Sequence, residues 1–373
     1  MTNPTVLADR EALAAVAVEG RALIRSLQDA GGAYPASPTF SAYRGYSWFR
    51  DGAFIADAMS AGGDPASAEA FFGWCARVIS ERRDDIHRIV AAAGAGAPLP
   101  DAEMLPTRFT LDGRDGSDEW WDFQLDGYGI WLWAAGEHVA RHGADPAEWL
   151  DAIALTVDFL VSSWERPCFD WWEEHIESVH VSTLGSVLAG LRAAASLEAL
   201  DPAVRDASRG AADAVEAKIL TEGVAGGHLV KWIGVDTVDA SLAALIAPFG
   251  VIDARGPLGV ATLEQLDHQL VVDGGMHRFL ADTYFGGGQW PLLSCFLGLA
   301  WARAGRTDRA LELLRWAAST AHDGGMPEQV DRHLLDPSYV DEWVERWGPS
   351  ADPLLWSSAM FLRLAVELGV VDA

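Results

Sequence analysis

Small or apolar residues return at three- and four-residue intervals along most of this chain. Leu13, Val16, Gly20, Leu23, Ile24 and Leu27 form one face of a first helix. The same period predicts helices near 52–61, 66–91, 126–142, 147–163, 180–198, 202–220, 238–248, 260–270, 289–304, 307–321 and 353–368, twelve with the first. Strand-type alternation is nearly absent. The helices differ in kind. YGIWLWAAGE, SLAALIAPF, WPLLSCFLGLAWA and LLWSSAMFLRLAVE are apolar almost all round, as helices buried on every side must be. Those between them, such as TDRALELLRWAAST, keep one polar face and belong outside.

The connections alternate as well. Short turns resembling one another begin at residues 62, 143, 200, 252 and 304. In the first three, Asp followed by Pro supplies an N-cap and a first helical residue. The segments leading into the buried helices are long and rich in Trp, Asp, Glu and Gly. Helix hairpins with one plain end and one elaborate end predict an all-α fold, an (α/α)6 barrel, as a single domain over 1–373. Its chemistry is expected at the elaborate end. AAAGAGAPLPDAE at 91–103 reads as a loop insertion within it.

Composition narrows the partners. A formal charge of −27 speaks against nucleic acid, whose phosphates need a basic face, and against anionic membranes. Half of the 373 residues are apolar, enough for a large core, yet no apolar run reaches membrane-spanning length. Cys75, Cys168 and Cys295 are too few and too scattered for a disulfide framework. The start, MTNPTVLADREALAAV, has no basic segment followed by an apolar run. A soluble, cytoplasmic protein is expected.

The 17 tryptophans are far above ordinary usage. Core packing accounts for Trp74, Trp301 and Trp316. Trp48, Trp120, Trp121, Trp171, Trp172 and Trp290 lie on polar loops and suit the flat apolar faces of sugar rings. In GYSWFRDGAF, residues 45–54, Arg50 and Asp51 stand among aromatics just before a helix. Asp51 caps the helix, or the pair points into an aromatic pocket and grips a polar, uncharged ligand. The histidines form no HExxH and no close cluster, no GxSxG is present, and GAGAG lacks the context of a phosphate loop. No metal and no cofactor are expected. Paired acids remain: Glu173 and Glu174 follow Trp171 and Trp172 in DWWEEH, and Glu328 follows Gly324 and Gly325 in another loop. A protonated acid and an ionised base on opposite sides of a bond are what glycoside hydrolysis requires.

These motifs, taken in order, resemble those of glycoside hydrolase family 15, the glucoamylase family. YSWFRD is similar to its Y-x-W-x-R-D, FQLDGYG to F-Q-L-D-x-Y-G, and DWWEE to D-x-W-E-E. VDASL matches a bacterial stretch, RFLADTYFGGGQW resembles R-Y-x-x-D-x-Y-x-G-x-x-W, and MPEQVD resembles S-E-Q-x-D. The matches run in family order from residue 46 to about 361. The resemblance implies an (α/α)6 barrel of inverting, exo-acting α-glucosidases. It implies Glu173 as general acid and Glu328 as general base. Arg50, Asp51 and Arg278 would then hold hydroxyls of the terminal glucose, and Glu174 hydroxyls near the scissile bond. Trp48, Trp172 and Trp120 would form walls, with Trp121 competing for Trp120's family position, and Trp290 would also meet the substrate. Tyr43 or Tyr46 would stand beside the attacking water.

The family's bacterial members usually carry an N-terminal β-sandwich and its fungal ones often a starch-binding domain, and neither has a counterpart here. The expected substrate is therefore a small neutral oligosaccharide, with α-1,6-linked isomaltose the first choice. A trehalase- or maltose-directed enzyme, or a silent sugar-binding barrel, are the alternatives.

Overall fold

The computed structural model describes residues 4–372. Its helices are α1 (Pro4–Leu27), α2 (Phe49–Ala61), α3 (Pro65–Glu81), α4 (Arg83–Gly94), α5 (Asp126–His142), α6 (Leu150–Ser163) and α7 (Val181–Ser196). They continue with α8 (Pro202–Glu222), α9 (Ala243–Ile246), α10 (Pro257–Leu270), α11 (Pro291–Arg303), α12 (Thr307–Ala318), α13 (Val340–Trp347) and α14 (Leu355–Glu367). An inner ring closes through α2, α5, α7, α9, α11 and α14, each packed on the next and the last on the first. Outside it, α1, α3, α6, α8, α10 and α12 cover the ring. This is the (α/α)6 barrel. The helices read as apolar all round, α5, α9, α11 and α14, are inner ones, and every residue of α2 is also buried.

Long connections lead into the inner helices, over 28–48, 95–125, 164–180, 223–242, 271–290 and 319–354, and they gather at one end. They carry the few strands as two-stranded antiparallel ribbons, among them β1 (Tyr46–Trp48) paired with β2 (Arg108–Thr110). The other end is plain and held by buried ions. Asp57 of α2 accepts from Arg141 of α5 at 2.7 Å and from Arg363 of α14 at 3.0 Å. Burial alone would raise the Asp57 carboxyl, but the two guanidiniums hold it below its ordinary range. The three cysteines are buried and unpaired. No described helix is long and apolar enough to cross a membrane.

Several boundaries differ from those expected. The segment 66–91 is two helices, because Arg82 leaves helical geometry (φ −104°, ψ 18°). Its guanidinium turns back onto the Val78 and Gly113 carbonyls, at 2.8 and 2.9 Å. Asp64 and Asp201 cap α3 and α8, each followed by Pro. Asp145 instead closes a separate turn through the Ala147 N–H, and α6 begins only at Leu150. The fourth inner helix is one α-helical turn behind a 3-10 turn, Ala240–Leu242, that Asp239 caps. The eight-residue α13 has no counterpart among the expected helices, although Val340, Trp343, Val344 and Trp347 follow a helical spacing.

Candidate active site

At the elaborate end the ring opens into a pocket of about 740 Å³ including its mouth, a size typical of small-molecule sites. Its bottom is sealed. Phe54 of α2 stacks on Trp356 at 5.5 Å between ring centres and meets Phe296 edge-on at 4.9 Å. Trp171 and Trp356 face the pocket from this aromatic plug. The pocket is therefore blind.

Glu173 enters from the loop before α7, and Glu328 from the loop before α14, third and sixth in the inner ring and so on opposite sides of the mouth. Glu173 sits on a tight turn with φ +67°, a left-handed conformation that non-glycine residues seldom adopt. Its Oε1 accepts from the Trp48 indole at 2.8 Å and from Gln124 at 3.2 Å, and lies 3.7 Å from the Arg50 guanidinium. Among the described residues, no donor reaches its other oxygen within hydrogen-bond distance. Glu328 is 1% exposed. Its Oε1 accepts from the Tyr43 hydroxyl and its Oε2 from Ser350, both at 2.9 Å. Burial pushes the Glu328 carboxyl up to about 7, against the lowering effect of the Tyr43 and Ser350 hydroxyls and the Arg278 charge.

Arg50 and Asp51 are buried in the first turn of α2, on the Glu173 side of the pocket. The Arg50 guanidinium donates to Gln124 at 2.6 Å and to Asp126, a fully buried carboxylate, at 2.9 Å. Asp51 faces the pocket 3.6 Å from the Arg50 Nε. Burial raises Asp51 to about 7, with Arg50 opposing and Glu173 adding to the rise. Asp51 does not cap the helix: the capping position is Trp48, without a side-chain bond. Across the pocket, Arg278 is held by Asp282 at 2.8 Å and stands 3.4 Å from Glu174. Burial raises Glu174 more than Arg278 lowers it.

Of the residues singled out in the sequence, Tyr43, Trp48, Arg50, Asp51, Trp120, Trp121, Trp172, Glu173, Glu174, Arg278, Trp290 and Glu328 line this one pocket, and Tyr46 does not. Tyr46 sits behind the wall. The Arg108 guanidinium is sandwiched between the Tyr46 and Trp120 rings, 3.9 Å from each centre, and the Tyr46 hydroxyl is spent on Asp118 at 2.6 Å. Of the two tyrosines, Tyr43 thus lines the pocket, as do both Trp120 and Trp121. Trp74, Trp301 and Trp316 are core residues, as expected. Sequence reasoning missed Tyr284, Trp343, Trp347 and Trp356 in the lining, and Gln124, Asp126 and Ser350 behind it. The Tyr284 hydroxyl lies 3.2 Å from that of Tyr43. Among the described residues, no group of three or more His, Cys, Asp or Glu side chains is placed to hold a metal ion.

A toroid of helix hairpins with two carboxyls facing each other across a blind, tryptophan-walled pocket defines a glycoside hydrolase. The chain belongs to the glycosyl hydrolases family 15, whose sequence model matches residues 12–366. It is 51% identical over 358 residues to the isomaltose glucohydrolase of Kribbella flavida, covering 95% of this chain and 93% of that one. Among solved structures, a glycosidase variant in complex with glucose is 48% identical, covers 100% of both chains and superposes with a TM-score of 0.96. A bacterial glucoamylase complexed with acarbose shares the fold at 18% identity, with a TM-score of 0.75 over 95% of this chain and 55% of that one.

Proposed function

We propose that the chain, as one catalytic domain, is an inverting exo-α-glucosidase that removes the terminal glucose of small α-glucosides, isomaltose first among them, and releases β-glucose. The observation that carries this reading is the blind pocket with Glu173 and Glu328 on opposite sides of it. The sealed bottom admits a chain end and no internal segment. Glu173 acts as general acid: the indole, amide and guanidinium donors take up Oε1, which leaves its other oxygen to reach the glycosidic bond. Glu328 acts as general base, its two oxygens aimed by Tyr43 and Ser350 at a water on the far face of the sugar. Arg50, Asp51 and Arg278 hold hydroxyls of the terminal ring, and Trp48, Trp172 and Trp290 pack on its faces. The kinship with the Kribbella isomaltose glucohydrolase supports the α-1,6 choice. The presence of Trp121, Trp343 and Trp347 in the pocket lining supports a short substrate.

Isomaltose, panose, maltose and trehalose, each followed by proton NMR from the first minutes of digestion, test the reading. Isomaltose is expected to be cleaved fastest, and the terminal glucose to be released as the β anomer. That is seen cleanly with panose, whose departing unit is a disaccharide, and as an excess over the reducing end's own anomeric mixture with isomaltose. Initial α-glucose from panose would mean a double displacement and would remove Glu328 as base; a preference for maltose or trehalose would overturn the linkage.

The base must be ionised to accept a proton. With Glu328 raised to about 7 in the free enzyme, log kcat/KM for isomaltose is expected to fall as pH drops below about 7, one unit per pH unit. Asp51 titrates in the same window, so the limb assigned to Glu328 is the one that persists in Asp51→Asn. A limb centred below pH 5 in both enzymes would contradict the assignment.

A further inference from the structure

Behind the turn that carries Glu173 stands a buried ammonium with no place in the pocket. Lys231 is 4% exposed and lines no part of the cavity. Its Nζ is bonded to Asp239, lies 3.3 Å from Asp170 Oδ2, and sits 3.6 Å from the centre of the Phe279 ring. Its backbone is fixed from both sides. The Val181 N–H donates to the Lys231 carbonyl at 3.1 Å, and the Lys231 N–H donates to Thr237 at 2.8 Å.

Each of the two carboxylates organises a different part of the active site. Asp170 Oδ1 accepts the N–H groups of Trp172 at 2.8 Å and Glu174 at 2.9 Å, while its carbonyl accepts that of Glu173 at 3.0 Å. Those bonds hold Glu173 in its left-handed conformation. Asp239 accepts the Trp172 indole N–H at 2.9 Å and the Ser241 N–H at 2.9 Å. The next residue, Ala240, donates its N–H to the Arg278 carbonyl at 2.9 Å. Acid turn, tryptophan wall and hydroxyl-binding arginine thus meet at two buried carboxylates that would repel each other without the cation between them. Burial works against all these charges. Even so, Lys231, His180 and the turn's own N–H groups hold Asp170 below its ordinary range, and the two aspartates hold Lys231 above its own.

We propose that Lys231 is a positioning residue for proton donation: by bridging Asp170 and Asp239 it holds the Glu173 turn in the geometry that delivers a proton to the leaving oxygen. This rests on Glu173 being the general acid. In isomaltose the C1–O bond breaks as the Glu173 proton passes to the departing oxygen, and water attacks C1, giving its proton to Glu328. In α-glucosyl fluoride the C1–F bond breaks and fluoride departs without a proton, so misplacement of the acid costs that substrate little.

The test compares kcat for the two substrates in Lys231→Met. The variant is expected to lose about tenfold or more on isomaltose, a fraction of what a general acid supplies, and no more than about threefold on α-glucosyl fluoride. Lys231→Arg, which keeps the cation, is expected to restore most of the isomaltose activity. Equal losses on both substrates, or no loss on isomaltose, would overturn the proposal. If Lys231→Met gives no cooperative thermal melt, the double variant Lys231→Met/Asp239→Asn, which removes a buried carboxylate together with the ammonium, replaces it. Failure of both to fold makes Lys231 a stability residue and ends the proposal. Glu173→Gln is the control. If it spares α-glucosyl fluoride and Lys231→Met does not, only the role of Lys231 falls; if it loses both substrates alike, the assignment of the acid falls.

Discussion

Glu328→Gln and Glu173→Gln are each expected to lower turnover on isomaltose by about 10²–10⁴-fold or more, since each removes one half of the proton transfer. Neither is expected to disturb the fold. Glu328 makes the point most sharply. Glutamine keeps an oxygen for the Tyr43 hydroxyl, and the Ser350 hydroxyl can rotate to accept from the new amide. The carboxyl it replaces rises from 4.5 to about 7 on folding, so the folded state binds the proton more tightly than the unfolded chain. The stability this contributes is fully present below about pH 4.5 and is lost as pH rises through 7. Glutamine has no such dependence. The difference in Tm between Glu328→Gln and the unsubstituted enzyme should therefore move in the variant's favour between pH 5 and pH 8. Near-normal glucose release from either variant would remove that residue from its role.

Asp51→Ala is expected to lower kcat/KM by well over tenfold, about 1.4 kcal/mol or more of transition-state stabilisation. Its carboxylate makes no capping bond and faces the pocket beside Arg50. Contacts to hydroxyls remote from the breaking bond orient the reacting ring, so their loss falls on the chemical step as well as on binding. The carboxyl is held in a buried place that disfavours its charge, and removing it should leave Tm unchanged or higher. A variant with a lower Tm and intact kinetics would restore the helix-cap reading of Asp51.

Much of this was legible along the chain because helical rings write themselves locally. A helix buried on all sides has no polar face, so α5, α11 and α14 stand out in a single pass, and Asp-Pro marks the starts of α3 and α8. The acids were legible because Glu173 and Glu328 lie in short motifs rich in glycine and tryptophan. The supporting residues were not. Ser350 meets Glu328 only because the Glu328 N–H pairs with the Ala351 carbonyl, and nothing near Gln124 announces that it touches both Arg50 and Glu173. Tyr46 was undecided for a similar reason. Whether it or Tyr43 enters the pocket depends on Arg108, a residue on the partner strand that occupies the space between Tyr46 and Trp120.

The short helix α13 has a consequence of another kind. It has no fully buried residue, yet Trp343 and Trp347 form part of the mouth. It is moored by the Trp343 indole on the Thr283 carbonyl at 3.0 Å and by Ser41 on the Trp347 carbonyl at 2.8 Å. The acids, the arginines and the aromatic plug hang on other segments. Residues 340–347 nevertheless join the rim to the chemistry. The Trp343 ring packs on Tyr284 at 5.0 Å between centres, and the Tyr284 hydroxyl lies 3.2 Å from that of Tyr43, the donor to Glu328, so a change in this short surface helix is transmitted to the base.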